Sequence, residues 1–151
     1  MNPALAKMLT FIWIPILIAA ALFFMERRDA DTGQGPTVSV GERSFSVEIA
    51  DTAAARTRGL SGRDGLCGGC AMLFRFDTPG AYGFWMPDMR FAIDIAWIRD
   101  GRIVHIERRV APDFQGVLHP SAEATDVLET AAGDLDGIEV GDEVRLPGKE
   151  K

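Results

Sequence analysis

The sequence predicts an all-β fold: a small β-barrel-like domain with one or two short helices, set behind an N-terminal transmembrane helix. Three observations carry this expectation. Residues 37–146 break into many short, largely alternating apolar runs at close spacing, the pattern of sandwiches and small barrels. Arg90–Ile98 and Arg102–Val110 flank Asp100-Gly101, the dipeptide favoured in a two-residue type I′ turn. Met8–Met25 (MLTFIWIPILIAAALFFM) holds 18 residues without a charged side chain, enough to cross a bilayer core of about 30 Å as a helix.

Residues 1–28 are therefore expected to form a membrane anchor. Pro15 does not argue against it, because transmembrane helices tolerate proline. A cleaved signal peptide, the rival reading, has a shorter apolar core and a small-x-small cleavage site. Here the run ends in Leu-Phe-Phe-Met-Glu-Arg-Arg. Lys7 on one side and Arg27 and Arg28 on the other nearly balance, so loop charge does not orient the helix. Cys67 and Cys70 suit an oxidising compartment and tip the expectation to an extracytoplasmic, periplasmic domain. The membrane is then a partner through this helix.

Beyond residue 28 the chain carries 13 basic and 21 acidic side chains, a net charge of −8. Nucleic acid is excluded as an expected partner, since phosphate binding needs a basic surface. Docking of the domain on anionic lipid is disfavoured for the same reason.

Asp29–Pro36 (DADTGQGP) reads as a flexible linker, and the β domain is expected over 37–147, with a tail at 148–151. Thr37–Val40 and Ser44–Ile49 form a hairpin across Gly41-Glu42. Asp51 reads as the N-cap of a helix over Ala53–Arg58, which Gly59 stops. Leu60–Gly69 is a loop, Ala71–Phe76 a strand, and Asp77–Gly80 a turn by composition. Tyr82–Met86 reads as a strand ended by Pro87. After the central hairpin come a loop over Pro112–Ser121, a short strand at Thr125–Glu129, one helical turn at Asp134–Ile138, and a last strand at Glu143–Leu146.

An unbulged hairpin around Asp100-Gly101 would set Ile98 against Ile103, Trp97 against Val104, Ala96 against His105 and Asp94 against Glu107. Trp97, Val104, Ile95 and Ile106 would share a core face. Asp94 would sit on the other face, diagonal to His105 and Arg109. Two readings follow: a solvated cross-strand salt bridge, or a ligand-facing polar patch.

Other constellations are weaker. Cys67-Gly-Gly-Cys70 precedes a strand, not a helix, which argues against thioredoxin-like redox chemistry. Zinc would need two more ligands, from His105 and His119 at irregular spacing, and a loop-stapling disulfide or two idle thiols remain. Met86 and Met89, with Met72 and Trp85, are soft groups that suit Cu(I), but methionine and tryptophan are also ordinary core fillers. No metal and no cofactor is expected. Ser61, Ser121 and the histidines show no triad spacing.

Several motifs resemble the DUF192 (UPF0127) family. Arg56-Thr-Arg58-Gly59-Leu60 is similar to its Arg-x-x-Gly-Leu helix end, Met72-Leu-Phe-Arg-Phe76 to its Met-Leu-Phe-x-Phe strand, and Phe84-Trp85-Met86 to its Phe-Trp-Met signature. Ile93-Asp94-Ile95 sits at its Leu-Asp-Ile-like step, and Val127-Leu128-Glu129, Gly133 and Gly141-Asp-Glu-Val144 resemble its C-terminal pattern. The resemblance spans Phe45 to Leu146. It implies a β-barrel-like fold, often behind a signal or anchor, and no established activity. Pro87-Asp88-Met89 stands where the family often has Lys-Asn-Thr, and the cysteine pair falls in a loop that is usually acidic or proline-containing.

The expected function is a membrane-tethered accessory module of the cell envelope that binds a small ligand or an envelope protein. Its expected site gathers Arg58, Trp85, Met86, Asp94 and Glu129, an aromatic beside a few polar groups. The alternatives are a hydrolase with Asp94 or Glu129 as general base, and a Cu(I) or Zn handling protein.

Overall fold

The structure is a computed structural model, and it describes residues 35–148. The expected anchor, most of the linker and residues 149–151 lie outside the described residues. Among the described residues, no helix is long and apolar enough to cross a membrane.

The described chain is mostly β, with seven strands and one short helix: β1 Thr37–Val40, β2 Arg43–Ala50, α1 Ala53–Arg58, β3 Cys70–Gly80, β4 Ile93–Arg99, β5 Arg102–Val110, β6 Ala124–Ala131 and β7 Val144–Arg145. The strands make one curled sheet in the order β5-β4-β6-β3-β2-β1-β7. Its two ends approach each other. The N–H of Ile103 donates to the Asp142 carbonyl at 3.0 Å, that of Gly141 to the Ile103 carbonyl at 2.8 Å, and that of Val144 to the Gly101 carbonyl at 2.7 Å. This seam turns the sheet into a half-barrel and removes part of an open edge.

Alternation along the strands builds two cores. Val38, Phe45, Leu73, Ala96, Ile98 and Leu128 fill the side that the curl encloses. Phe74, Ile95, Trp97, Val127, Phe84 and Met86 pack on the other side. β4 is buried on both faces. At one end of the enclosed side, Arg75 and Asp126 lie opposite each other across β3 and β6. They form an ion pair at 3.5 Å with both side chains 8 % exposed, and Arg75 also donates to the carbonyls of Pro147 and Gly148.

Local chemistry explains most elements. β2 and β3 run parallel, so the chain must cross over between them, and α1 lies on that crossover. Its N-cap is Thr52, not the expected Asp51: the threonine hydroxyl accepts from the N–H of Ala55 at 3.1 Å. Gly59 ends the helix with a φ of 50°, a conformation that favours glycine.

Two expectations about the middle of the chain are corrected. Asp77–Gly80 is not a turn. It prolongs β3, and the register with β6 slips between Arg75 and Gly80, so the extra residues are absorbed as a bulge. Tyr82–Met86 is not a strand. It is an irregular crossing with one bridge, Phe84 to Leu118.

The Asp100-Gly101 turn forms as expected, with φ of 51° and 71°, and Ile98 faces Ile103. The expected register fails one step later. A bulge sets Trp97 against His105, Ala96 against Ile106 and Ile95 against Glu107. A second irregularity sets Ile93 against Val110 and leaves Arg109 at a φ of 50°. Asp94 therefore does not lie opposite Glu107, because a one-residue slip moves side chains to the opposite face.

Candidate functional site

β6 carries Glu129 in a row with Met72 of β3 on one side and Ile95 of β4 on the other. Both neighbours are apolar and buried, so the carboxyl is flanked by hydrocarbon. Glu129 is 5 % exposed and makes no ion pair or hydrogen bond among the described residues. Burial pushes its pKa up to about 8, because a low-dielectric setting disfavours the charged form. Burial thus favours the protonated acid near neutrality.

A recess of about 30 Å³ opens onto this carboxyl, room for roughly one or two waters. Besides Phe74 of β3, three segments build its wall. The end of α1 supplies Arg58 and Gly59, the turn after it Leu60 and Ser61, and the irregular crossing Phe84, Trp85, Pro87 and Met89. Gly59 lets the backbone approach Phe74 closely: a Cβ there would lie 3.4 Å from the ring. The N–H of Gly62 donates to the Asp88 carbonyl at 2.9 Å and ties two wall segments together.

An open groove of about 310 Å³ shares Arg56, Phe74, Phe84 and Trp85 with the recess and is also lined by Phe76 and Tyr82. Tyr82 stacks on Phe76, with centroids 3.5 Å apart, and the Arg56 guanidinium lies 5.1 Å from the Phe76 centroid. Arg56 is held by the carbonyls of Asp51 and Arg75. Arg58 is exposed at the rim and pairs with no carboxylate among the described residues. Trp85 is 61 % exposed. Its two chain neighbours, Phe84 and Met86, are buried, so alternation turns the indole outward.

The structure thus brings Arg58, Trp85 and Glu129 together and places the other two candidate residues elsewhere. Met86 belongs to the core beneath the groove. Asp94 faces the enclosed side, where its carboxylate accepts the backbone N–H groups of Arg109 at 2.7 Å, Gly133 at 2.8 Å and Leu135 at 3.0 Å. Neither an arginine side chain nor an indole meets it among the described residues. Three amides account for the buried charge that the sequence left unexplained.

One constellation escaped sequence reasoning. His105 Nδ1 lies 3.2 Å from Ser121 Oγ and His105 Nε2 lies 3.1 Å from Glu107 Oε1. The His105–Glu107 step is legible from strand alternation. Ser121 arrives from a loop 16 residues away, and no local signal marks it. These three residues line neither of the two cavities above, and they fasten that loop to β5. Cys67 and Cys70 form a disulfide, which takes both thiolates from any zinc site. Among the described residues no group of three or more His, Cys, Asp or Glu is placed to hold a metal ion.

The family model DUF192, described as an uncharacterized group, matches residues 36–146. No curated protein matches the chain. Two solved structures are similar. A protein of unknown function from Novosphingobium aromaticivorans DSM 12444 is 29 % identical, with a TM-score of 0.69 over 72 % of this chain and 83 % of that one. A protein from Sinorhizobium meliloti 1021, described as a candidate transcription regulator, is 25 % identical, with a TM-score of 0.70 over 73 % of this chain and 92 % of that one.

Proposed function

The chain belongs to the DUF192 family, and we propose that within it this protein is a small-molecule binding module whose site is the recess over Glu129. The observation that carries the reading is the buried, unpartnered carboxyl facing that recess. The carboxyl has no protein partner among the described residues, and a ligand bound in the recess would supply one in place of solvent. The exposed indole beside it and the aromatic groove that shares its wall match the usual make-up of ligand sites, a mostly apolar cleft with a few convergent polar groups. The acidic balance of the domain supports a small ligand over nucleic acid. The uncharged run at 8–25 supports tethering to a membrane, and the Cys67–Cys70 disulfide supports an oxidising, extracytoplasmic side for the domain.

A thermal-shift screen of small metabolites against the full chain tests this. A true ligand at 100 times its Kd should stabilise the wild type by about 2.7 kcal/mol, and Trp85→Ala should lose most of that gain. Ligands that stabilise both proteins equally would reject the site.

A second reading has one observation behind it. A carboxyl with a pKa of about 8 is suited to general acid or base work near neutrality, so a hydrolase would use Glu129. Asp94, closed in by three amides, has no room for that role. Hydrolysis of a model ester that Glu129→Gln leaves unchanged would reject this reading.

A further inference from the structure

We propose that the ligand enters the recess through a primary ammonium group, which pairs with Glu129, and carries a carboxylate that reaches Arg58 at the rim: a small zwitterionic amine. This rests on the pocket reading above and names its ligand class.

Size makes the first selection. A recess of about 30 Å³ admits a group no larger than one or two waters. An ammonium or hydroxyl head fits; a phosphate or trimethylammonium head does not. Charge makes the second. Glu129 is the acid that lines the recess, and a cation at its oxygens would offset the cost of ionising it in apolar surroundings. Trp85 and Phe84 are aromatic residues of the same wall, a lining that tolerates a cation better than a purely aliphatic one. The rim makes the third. Arg58 lines the recess without a carboxylate partner among the described residues, and its fork of donors suits a carboxylate. A purely cationic amine would be repelled by Arg56 and Arg58, whereas a zwitterion satisfies both ends.

Few other ionisable groups approach Glu129. β3 and β4 present Met72 and Ile95 to it. α1 contributes Arg56 and Arg58, and the crossing segment brings the exposed Asp88 between Pro87 and Met89. Glu107, opposite Ile95, and His105, opposite Trp97, lie two strands away on β5, about 10 Å at ordinary strand spacing. Binding of an ammonium therefore expels the Glu129 proton to solvent, whereas binding of a hydroxyl leaves it in place.

Calorimetric titration of the full chain with 4-aminobutanoate and 6-aminohexanoate, and with 6-hydroxyhexanoate and hexanoate as controls, tests this at pH 6, 7 and 9. Such amines stay charged throughout, with pKa values near 10. The amino acids should bind, with affinity rising about tenfold from pH 6 to 7 and levelling off above pH 8. The heat should change with buffer ionisation as one proton leaves. Glu129→Gln should weaken binding at least about tenfold and abolish the pH dependence. Arg58→Gln should weaken it while leaving the pH dependence intact. Binding of the hydroxy acid as tightly as the amines, or a flat pH profile, would overturn the ammonium assignment and leave the pocket standing. No binding by any of the four overturns the zwitterion, and the wider metabolite screen then decides the pocket by itself.

Discussion

The backbone N–H of Arg109 meets Oδ1 of Asp94 at 2.7 Å, and the φ of 50° at Arg109 belongs to the irregularity that aims it there. A strained residue in one strand thus satisfies a buried carboxylate in the next. Gly133 and Leu135 complete the ring of donors from the turns after β6. Asp94 fastens the end of the β4–β5 hairpin to those turns.

Asp94→Ala should therefore destabilise the protein severely. Three N–H groups, that of Leu135 buried and those of Arg109 and Gly133 part-buried, would lose their acceptor, and each such loss costs about 1–3 kcal/mol where water does not replace it, for a total of about 3 kcal/mol. Urea denaturation measures it. A loss under about 1 kcal/mol would mean that water replaces the carboxylate and that the ring does not hold the fold.

Glu129→Gln should change how stability depends on pH. The native pKa is raised from 4.5 to about 8, so between these values the folded state holds a proton that the unfolded state has lost. Stability from this group is complete below about pH 4.5, falls as pH rises at up to about 1.4 kcal/mol per unit, and is gone above about pH 8. The neutral amide removes this slope. Tm measured across pH 5 to 8 should decline less in the variant than in the wild type, and parallel profiles would contradict the raised pKa.

Asp126→Ala should cost about 3–5 kcal/mol, because it leaves the Arg75 guanidinium buried without its counter-ion. Replacing both residues with apolar ones of similar volume should recover much of that loss. Chemical denaturation of the single and double variants checks this. A double variant as unstable as the single would show that the Arg75 bonds to the Pro147 and Gly148 carbonyls matter more than the ion pair.

The two described tryptophans should part company. Trp85→Ala should shift stability by no more than about 0.5 kcal/mol, as for other exposed positions. Trp97→Ala should cost about 3–5 kcal/mol, since that indole is fully buried and donates to the Tyr82 carbonyl at 2.9 Å. Equal losses at the two sites would argue that the Trp85 ring packs as core.

What the sequence revealed was mostly local. Asp100-Gly101 dictates its turn through two residues that tolerate positive φ, and Ala53–Arg58 with Gly59 is a helix written in six positions and a stop. What it hid was mostly non-local. The bulge that sets Trp97 against His105 has no marker residue, and it moves every pairing behind it. Asp94 finds its partners 15, 39 and 41 residues away, all of them backbone amides, which no side-chain pattern announces. Composition misled at Asp77–Gly80, where a Pro-Gly pair continues a strand past a bulge. At the site, the sequence placed Trp85 and Met86 together, whereas burial parts them. That Glu129 would sit between two hydrocarbon neighbours was not readable, since those pairings belong to strands far apart in sequence.

The seam that joins β5 to residues 141–144 also sets an order of events during synthesis. A chain emerging N-terminus first reaches residue 110 with β5 already out, yet its mate across the seam is still more than 30 residues behind. Until β6 arrives the strands stand as two pieces, β5-β4 and β3-β2-β1, with four open margins, and until residues 141–144 arrive the joined sheet still shows two, the condition under which neighbouring chains stick together. A holdase chaperone that masks a strand margin should therefore matter more to this protein's yield than one that hastens its final closure.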